Sequence, residues 1–204
     1  AVAEAYLQAM ENDSRVFLIG EGVDGVTGIY GTTLPAYEKF GPSRVIDTPI
    51  SDAAITGIAI GAAIVGMRPV IMHQRNDFML VVMDQIVSHA AFWKHMTGGR
   101  LSVPVTIRSY VARKPGEACQ HTGSWQAMFG HVPGLKVVMP SNAYDAKGLT
   151  LAAIYDNDPV LIFENRVLNE NEGVVPEILY SVPIGKAKIV KSGGNLLLLD
   201  EPTN

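Results

Sequence analysis

Short runs of β-branched and apolar residues recur along the whole chain with helix-like stretches between them, and this alternation restricts the fold more than any other feature. Residues 16–19, 44–46, 69–72, 103–107, 136–139 and 159–163 read as strands. Most are too uniformly apolar to leave one face in water, which predicts strands covered on both sides. Residues 34–40, 53–65, 78–96, 125–129 and 144–155 read as helices, and 1–10 looks like a helix entered partway along. Alternation of this kind predicts an α/β domain with a mostly parallel sheet and helices on both faces, and ligands then bind beyond the carboxyl ends of the strands. Function is therefore expected in the segments that follow strands: 20–33, 47–52 and 110–124.

A chain of 204 residues suits one such domain. The formal net charge of -4 and the lack of any Lys or Arg run exclude an electrostatic footprint for nucleic acid or an anionic membrane surface. A small molecule or a protein partner is expected instead. The single Cys119 can form no internal disulfide and belongs to no zinc-type spacing, so a reducing, cytoplasmic setting is expected. The longest apolar stretch, 53–65, is interrupted by Thr56, Gly57 and Gly61 and falls short of the roughly 20 residues of a membrane span. Residues 1–10 carry no signal-peptide pattern, and the Asn12-Asp13-Ser14 triplet has no secretory context.

After Asn165 the pattern weakens. Residues 169–173 form a polar connection, 182–190 fit an outlying strand, and 196–199 are a further apolar run. The last ten residues, 195–204, resemble the Walker B segment of ABC-type ATPases, but the chain contains no GxxxxGK[ST] to cradle phosphates. They are read as a foreign or truncated tail, and residues 192–204 are set apart from a domain at 1–191.

Four constellations carry chemistry, each with an ordinary structural alternative. Gly20-Glu21-Gly22-Val23-Asp24-Gly25 spells GxGxxG after a strand, with Asp47 ending the next. A dinucleotide fingerprint needs its third glycine inside an opening helix, and here glycine-rich loop continues to Gly31. Glu21 still stands where a ligand would be met. Ser51-Asp52 precedes an apolar helix as an ordinary N-cap would, yet capping explains Ser51 better than Asp52. His121 lies in the long loop near Arg113, Lys114 and Glu117, which suits an anionic substrate or a plain surface residue. His89 and His95 share a helix with Trp93 and suit packing or solvation.

Taken in order, Val16-Phe17-Leu18-Ile19-Gly20-Glu21, Arg44-Val45-Ile46-Asp47-Thr48-Pro49-Ile50-Ser51, Asp84-Gln85-Ile86, Gln120-His121, Pro133-Gly134-Leu135-Lys136-Val137-Val138 and Asp145-Ala146-Lys147-Gly148-Leu149 resemble the beta subunits of pyruvate and branched-chain 2-oxo acid dehydrogenases. The resemblance runs from about residue 3 to about residue 191. Met72-His73-Gln74-Arg75-Asn76-Asp77-Phe78 looks like a less-studied branch, so the resemblance does not fix the substrate.

The resemblance implies a transketolase-like pyrimidine-binding domain, with thiamin diphosphate shared between subunits. An alpha-type partner would hold the magnesium and diphosphate, and the product would pass to a lipoyl-bearing acyltransferase in a hetero-oligomer. Asp52 stands where a glutamate normally hydrogen-bonds the pyrimidine; by sharing a proton with the ring it promotes removal of the thiazolium proton. Phe78 would stack on the ring, Glu21, Ile50 and Gln74 would line the pocket, and His121 would face the 2-oxo acid and the lipoyl arm. Backbone carbonyls of Val105, Ala153, Asp156 and Asp158 match a potassium site in some relatives. The shorter Asp52 leaves two rivals to a catalytic beta subunit open: a non-catalytic assembly or regulatory homologue, and a fragment of a related transketolase-like enzyme.

Overall fold

The computed structural model describes residues 1–26, 28–111, 117–191 and 198–200. Helix α1 (Val2–Asn12) leads into β1 (Val16–Gly20), followed by α2 (Leu34–Phe40), β2 (Val45–Asp47), α3 (Asp52–Ile64) and β3 (Arg68–His73). A helical run over 76–96 ends in α4 (Phe92–Met96), and β4 (Thr106–Val111), α5 (Gln126–Gly130), β5 (Lys136–Val138), α6 (Ala143–Tyr155) and β6 (Val160–Asn165) complete the domain. The six strands form one parallel sheet in the order β2-β1-β3-β4-β6-β5. Strands β7 (Lys188–Lys191) and β8 (Leu198–Asp200) pair antiparallel in a separate two-stranded sheet. Thus 198–200, inside the segment read as a tail, take part in a strand pair, and the rest of 192–204 lies outside the described residues.

Side-chain alternation along the strands accounts for the two-sided burial. Phe17, Ile19, Ile71 and Ile107 point into one cluster with Ile55, Ala59 and Ile60 of α3 and with Phe129. Val16, Leu18, Val70 and Met72 point the other way, against Ala5, Tyr6 and Ala9 of α1 and Leu151 and Ile154 of α6. Neither face of a central strand meets water, so the pattern reads as apolar throughout rather than alternating.

Two elements differ from the sequence-based expectation. The strand expected at 103–107 lies at Thr106–Val111. Val103 and Val105 are buried, but Pro104 between them has no N–H to give to a ladder. The true strand was obscured by Arg108, Ser109 and Tyr110, all buried. The charge of Arg108 is satisfied inside: its Nε and Nη2 donate to the two carboxylate oxygens of Glu164 at 2.5 and 2.7 Å. Its Nη1 reaches Thr32 Oγ1 at 3.0 Å. Burial pushes the nearby Tyr6 and Tyr110 phenols well above their ordinary range, with Glu164 adding to the rise.

The helix expected at 78–96 is one continuous run with three pitches: a 3-10 turn over Asn76–Val82, a π-helical stretch over Asp84–Ala91, and α4. Burial spacing follows the pitch. Asn76, Met79 and Val82 are three apart, as a 3-10 turn aligns them, whereas Ile86 and Ala90 are four apart and Ala91 five from Ile86.

A buried bidentate pair is destabilising to break but not intrinsically stabilising. Glu164→Gln should therefore lower unfolding stability by about 3–5 kcal/mol in urea denaturation. The double replacement Arg108→Met with Glu164→Met should recover most of that loss.

Candidate active site

Every strand of the main sheet points its carboxyl end the same way, and the loops after β1, β2, β3 and β4 gather there. Behind Gly20 the chain turns instead of opening a helix, with Gly22 at φ 70. Asp47 Oδ1 accepts the Gly22 and Val23 N–H groups at 2.6 and 3.2 Å. The acidic residue that would have completed a dinucleotide fingerprint thus fixes this turn. Beyond it, Ile29 and Tyr30 both adopt positive φ, 48 and 54, a conformation costly for a β-branched or bulky residue. Thr32 Oγ1 donates to Ile29 O at 2.8 Å, and the Tyr30 ring packs edge-on against Tyr110 with centroids 4.7 Å apart.

Asp52 occupies the first position of α3, five residues after β2 ends. Ser51 does not cap the helix with its side chain; its hydroxyl donates to Pro49 O at 2.9 Å. Asp52 instead faces β3, where Oδ1 lies 2.9 Å from Nδ1 of the buried His73. That hydrogen bond holds the Asp52 carboxyl below its ordinary range against the opposing effect of burial. Glu21 is shifted the opposite way, raised by burial and then by the charges of Asp52 and Asp47. Two carboxyl groups within electrostatic reach are thus driven apart in proton affinity, which is the pattern expected of acid and base roles.

The other residues singled out in the sequence fall into separate groups. Gln74 Nε2 donates to Glu21 O at 3.4 Å, joining the β3 and β1 loops. Phe78 and His121 stack edge to face, with ring centroids 5.5 Å apart. Ile50 stands 78% exposed just before α3. Arg113 and Lys114 lie outside the described residues. Glu117 is held by Arg166, and by Arg75 Nη2 at 3.6 Å, beside a polar cavity of about 450 Å³ that Gln74, Tyr30 and Tyr110 also line.

The carbonyls matched to potassium lie at the opposite, amino-terminal end of β4 and β6. Val105 O accepts from Val160 N–H at 3.0 Å and Ala153 O from Asp156 N–H at 3.2 Å. Asp156 O accepts from the Arg68 guanidinium at 2.8 Å, while the Asp158 carboxylate pairs with Lys94 and Lys136. Of the four carbonyls, that of Asp156 is thus already met by a cation of the chain.

Three important side chains escaped sequence reasoning. His73 carries no signal of its own in the sequence. Asn76, fully buried, donates to Tyr110 O and Gly123 O at 3.0 Å each and accepts the Trp125 N–H at 3.0 Å. Beside it, Asp77 Oδ1 accepts from Gly123 N–H and from the Trp125 indole at 3.0 and 3.1 Å. A Cβ on Gly123 would stand 2.3 Å from that oxygen, so only glycine fits. Together these bonds tie the loop bearing His121 to the turn bearing Phe78. An Asn-Asp pair straight after a strand was the available signal, since such residues commonly bond backbone at turns.

A parallel α/β sheet with opposed carboxylates at its carboxyl edge defines the class. Residues 1–170 match the family described as transketolase, pyrimidine binding domain, and the chain belongs to that family. Among curated relatives, it is 42% identical over 210 residues to the beta subunit of acetoin:2,6-dichlorophenolindophenol oxidoreductase of Bacillus subtilis, covering 97% of this chain and 61% of that protein. It is 42% identical over 200 residues to the 2-oxoisovalerate dehydrogenase beta subunit of the same organism, with 98% and 61% covered. It is 39% identical over 199 residues to the beta subunit of the pyruvate dehydrogenase E1 component of Rickettsia felis, again with 98% and 61% covered. The chain thus spans about three-fifths of these relatives. A split-gene transketolase solved as an inactive beta4 tetramer shares the fold at TM-score 0.73 and 16% identity, over 94% of this chain and 58% of that one. No helix among the described residues is long and apolar enough to cross a membrane.

Removing the Asn76 amide should loosen the His121 loop without disturbing the sheet. Asn76→Ala is expected to lower stability by about 1–3 kcal/mol in a chemical melt, because it leaves buried partners unsatisfied. Amide exchange should rise over 119–125 and stay unchanged in β1 and β3.

Proposed function

We propose that this chain is the beta-type subunit of a thiamin diphosphate-dependent 2-oxo acid dehydrogenase, contributing the pyrimidine side of a site completed by an alpha-type subunit. The observation that carries this reading is the Asp52 carboxylate, held ionised at the carboxyl edge of the sheet beside a Glu21 whose proton affinity is raised. An aminopyrimidine asks for such a set: a carboxylate to share a proton with its ring nitrogen and an aromatic face to stack on. Asp52 remains 22% exposed at its side chain, so it can still meet a ligand. The 2-oxoisovalerate and pyruvate dehydrogenase relatives support the same reading, while the similarly related acetoin oxidoreductase acts on a ketone without a carboxylate, so the beta-subunit role carries over better than any one substrate.

When bound, thiamin diphosphate supplies the carbon nucleophile and electron sink that decarboxylation of a 2-oxo acid requires. Asp52 would hold the proton shared with the pyrimidine, Phe78 would stack on the ring, and Glu21, Ile50 and Gln74 would border it. His121, in the loop that Asn76 and Asp77 hold through Gly123 and Trp125, would face the substrate and the lipoyl arm of an acyltransferase. Arg75 and Arg166 outnumber Glu117 in the adjacent cavity and favour an anionic substrate. Magnesium and the diphosphate would belong to the alpha-type subunit. Exposed Ile50, Ile58, Val65 and Val81 on and around α3 suit a surface covered by a partner in a hetero-oligomer.

Because half of the site lies elsewhere, the chain alone should bind thiamin diphosphate and magnesium weakly or not at all in calorimetric titration. Submicromolar binding by the monomeric chain would contradict the split site. With an alpha-type partner, Asp52→Asn should fold normally yet lose hydrogen-deuterium exchange at the thiazolium carbon. Asp52→Glu should keep it. Parent-like exchange in Asp52→Asn, together with a lowered melting temperature, would make Asp52 structural only.

A further inference from the structure

His73 ends β3 with 3% of its surface exposed, and its ring lies between two side chains of α3. Asp52 and Thr56 are four residues apart and so project from one face of that helix. Asp52 Oδ1 is 2.9 Å from Nδ1, and Thr56 Oγ1, fully buried, is 3.1 Å from Nε2. An ionised carboxylate can only accept, so Nδ1 carries the proton and donates it to Asp52. In the neutral ring Nε2 then accepts from the Thr56 hydroxyl. Both ring nitrogens are satisfied, and the tautomer is set by the helix that bears the carboxylate.

A histidine serving only to fill the core would need no carboxylate partner at the mouth of the site. Asp52 also meets its own backbone N–H, but a carboxylate acting only at a helix start would need no partner on a neighbouring strand. Asp52 is one methylene shorter than the glutamate expected at its position, so its reach is smaller and its placement matters more. We infer that His73 is a positioning residue for the cofactor proton relay: clamped by Thr56, it fixes the Asp52 carboxylate in the orientation that meets the pyrimidine. This inference rests on reading Asp52 as the pyrimidine-facing carboxylate. Among the described residues, Glu21, just past β1, also lies within electrostatic reach of Asp52, and its negative charge acts against that of Asp52.

Nitrogen-15 histidine spectra of the full chain, with no cofactor present, should show the His73 proton on Nδ1. His73→Leu should then raise the Asp52 carboxyl titration midpoint. His73→Asn, whose amide nitrogen comes near the place of Nδ1, should raise it less. In the assembly with an alpha-type subunit, thiamin diphosphate and magnesium, His73→Leu should slow exchange at the thiazolium carbon by about 100-fold, the scale of an ångström-sized misplacement. It should also move the acid limb of the exchange profile to higher pH, and His73→Asn should restore most of the rate.

A folded His73→Leu with a parent-like midpoint and parent-like exchange, while Asp52→Asn abolishes exchange, would overturn the positioning role and leave the carboxylate reading standing. Parent-like exchange in Asp52→Asn would overturn both, even with the Nδ1 tautomer confirmed. Should His73→Leu fail to fold, Thr56→Val decides. It keeps nearly the same shape, and it should slow exchange and shift the acid limb the same way; an unchanged rate and profile would overturn the inference.

Discussion

The Arg108–Glu164 pair sits between two central strands, and a chain of contacts runs from it to the candidate site. Arg108 also donates to the Tyr110 hydroxyl at 2.5 Å, on its own strand. The Tyr110 carbonyl is taken by the Asn76 amide, and the same amide holds Gly123 and Trp125. Those bonds set the loop that lays His121 against Phe78. Through Thr32 the guanidinium also braces the turn in which Ile29 and Tyr30 are held at positive φ. Contacts running out from one buried charge pair thus reach the loops after β1, β3 and β4, which are also joined directly through Gln74, Asn76 and Asp77.

On the side nearer α3 the site is organised differently. There the apolar helix packs on β1 and β3, and its first turn brings Asp52 over the end of β3. The opposed shifts of Asp52 and Glu21 follow from this placement. Asp52 has a hydrogen-bond donor beside it, whereas Glu21 has burial and two negative neighbours. Neither effect needs a ligand, so the electrostatic asymmetry is built into the chain before any partner or cofactor arrives.

The parallel sheet was legible because burial on both faces leaves a strong mark: short β-branched runs such as 16–19 and 159–163 with helical stretches between them. Asp52 and Glu21 were legible because strand ends are where ligands are met in such sheets. The later part of β4 was not, because a lone arginine in a strand looks like a loop until its glutamate, 56 residues further on, is brought opposite it. His73 was missed for a related reason: nothing in its local sequence reveals that Asp52 and Thr56, 21 and 17 residues earlier, will flank its ring. The 3-10 and π pitches within 76–96 were hidden because each is set by burial spacing over fewer than ten residues.

The most direct test is a crystal structure of the chain assembled with an alpha-type subunit, thiamin diphosphate and magnesium, read at one distance. The account predicts an Asp52 carboxylate oxygen at about 2.6–3.2 Å from a pyrimidine ring nitrogen, with the Phe78 ring against the pyrimidine and the His73 bond to Asp52 retained. A pyrimidine seated away from α3, or an Asp52 that contacts His73 and no atom of the cofactor, would contradict it.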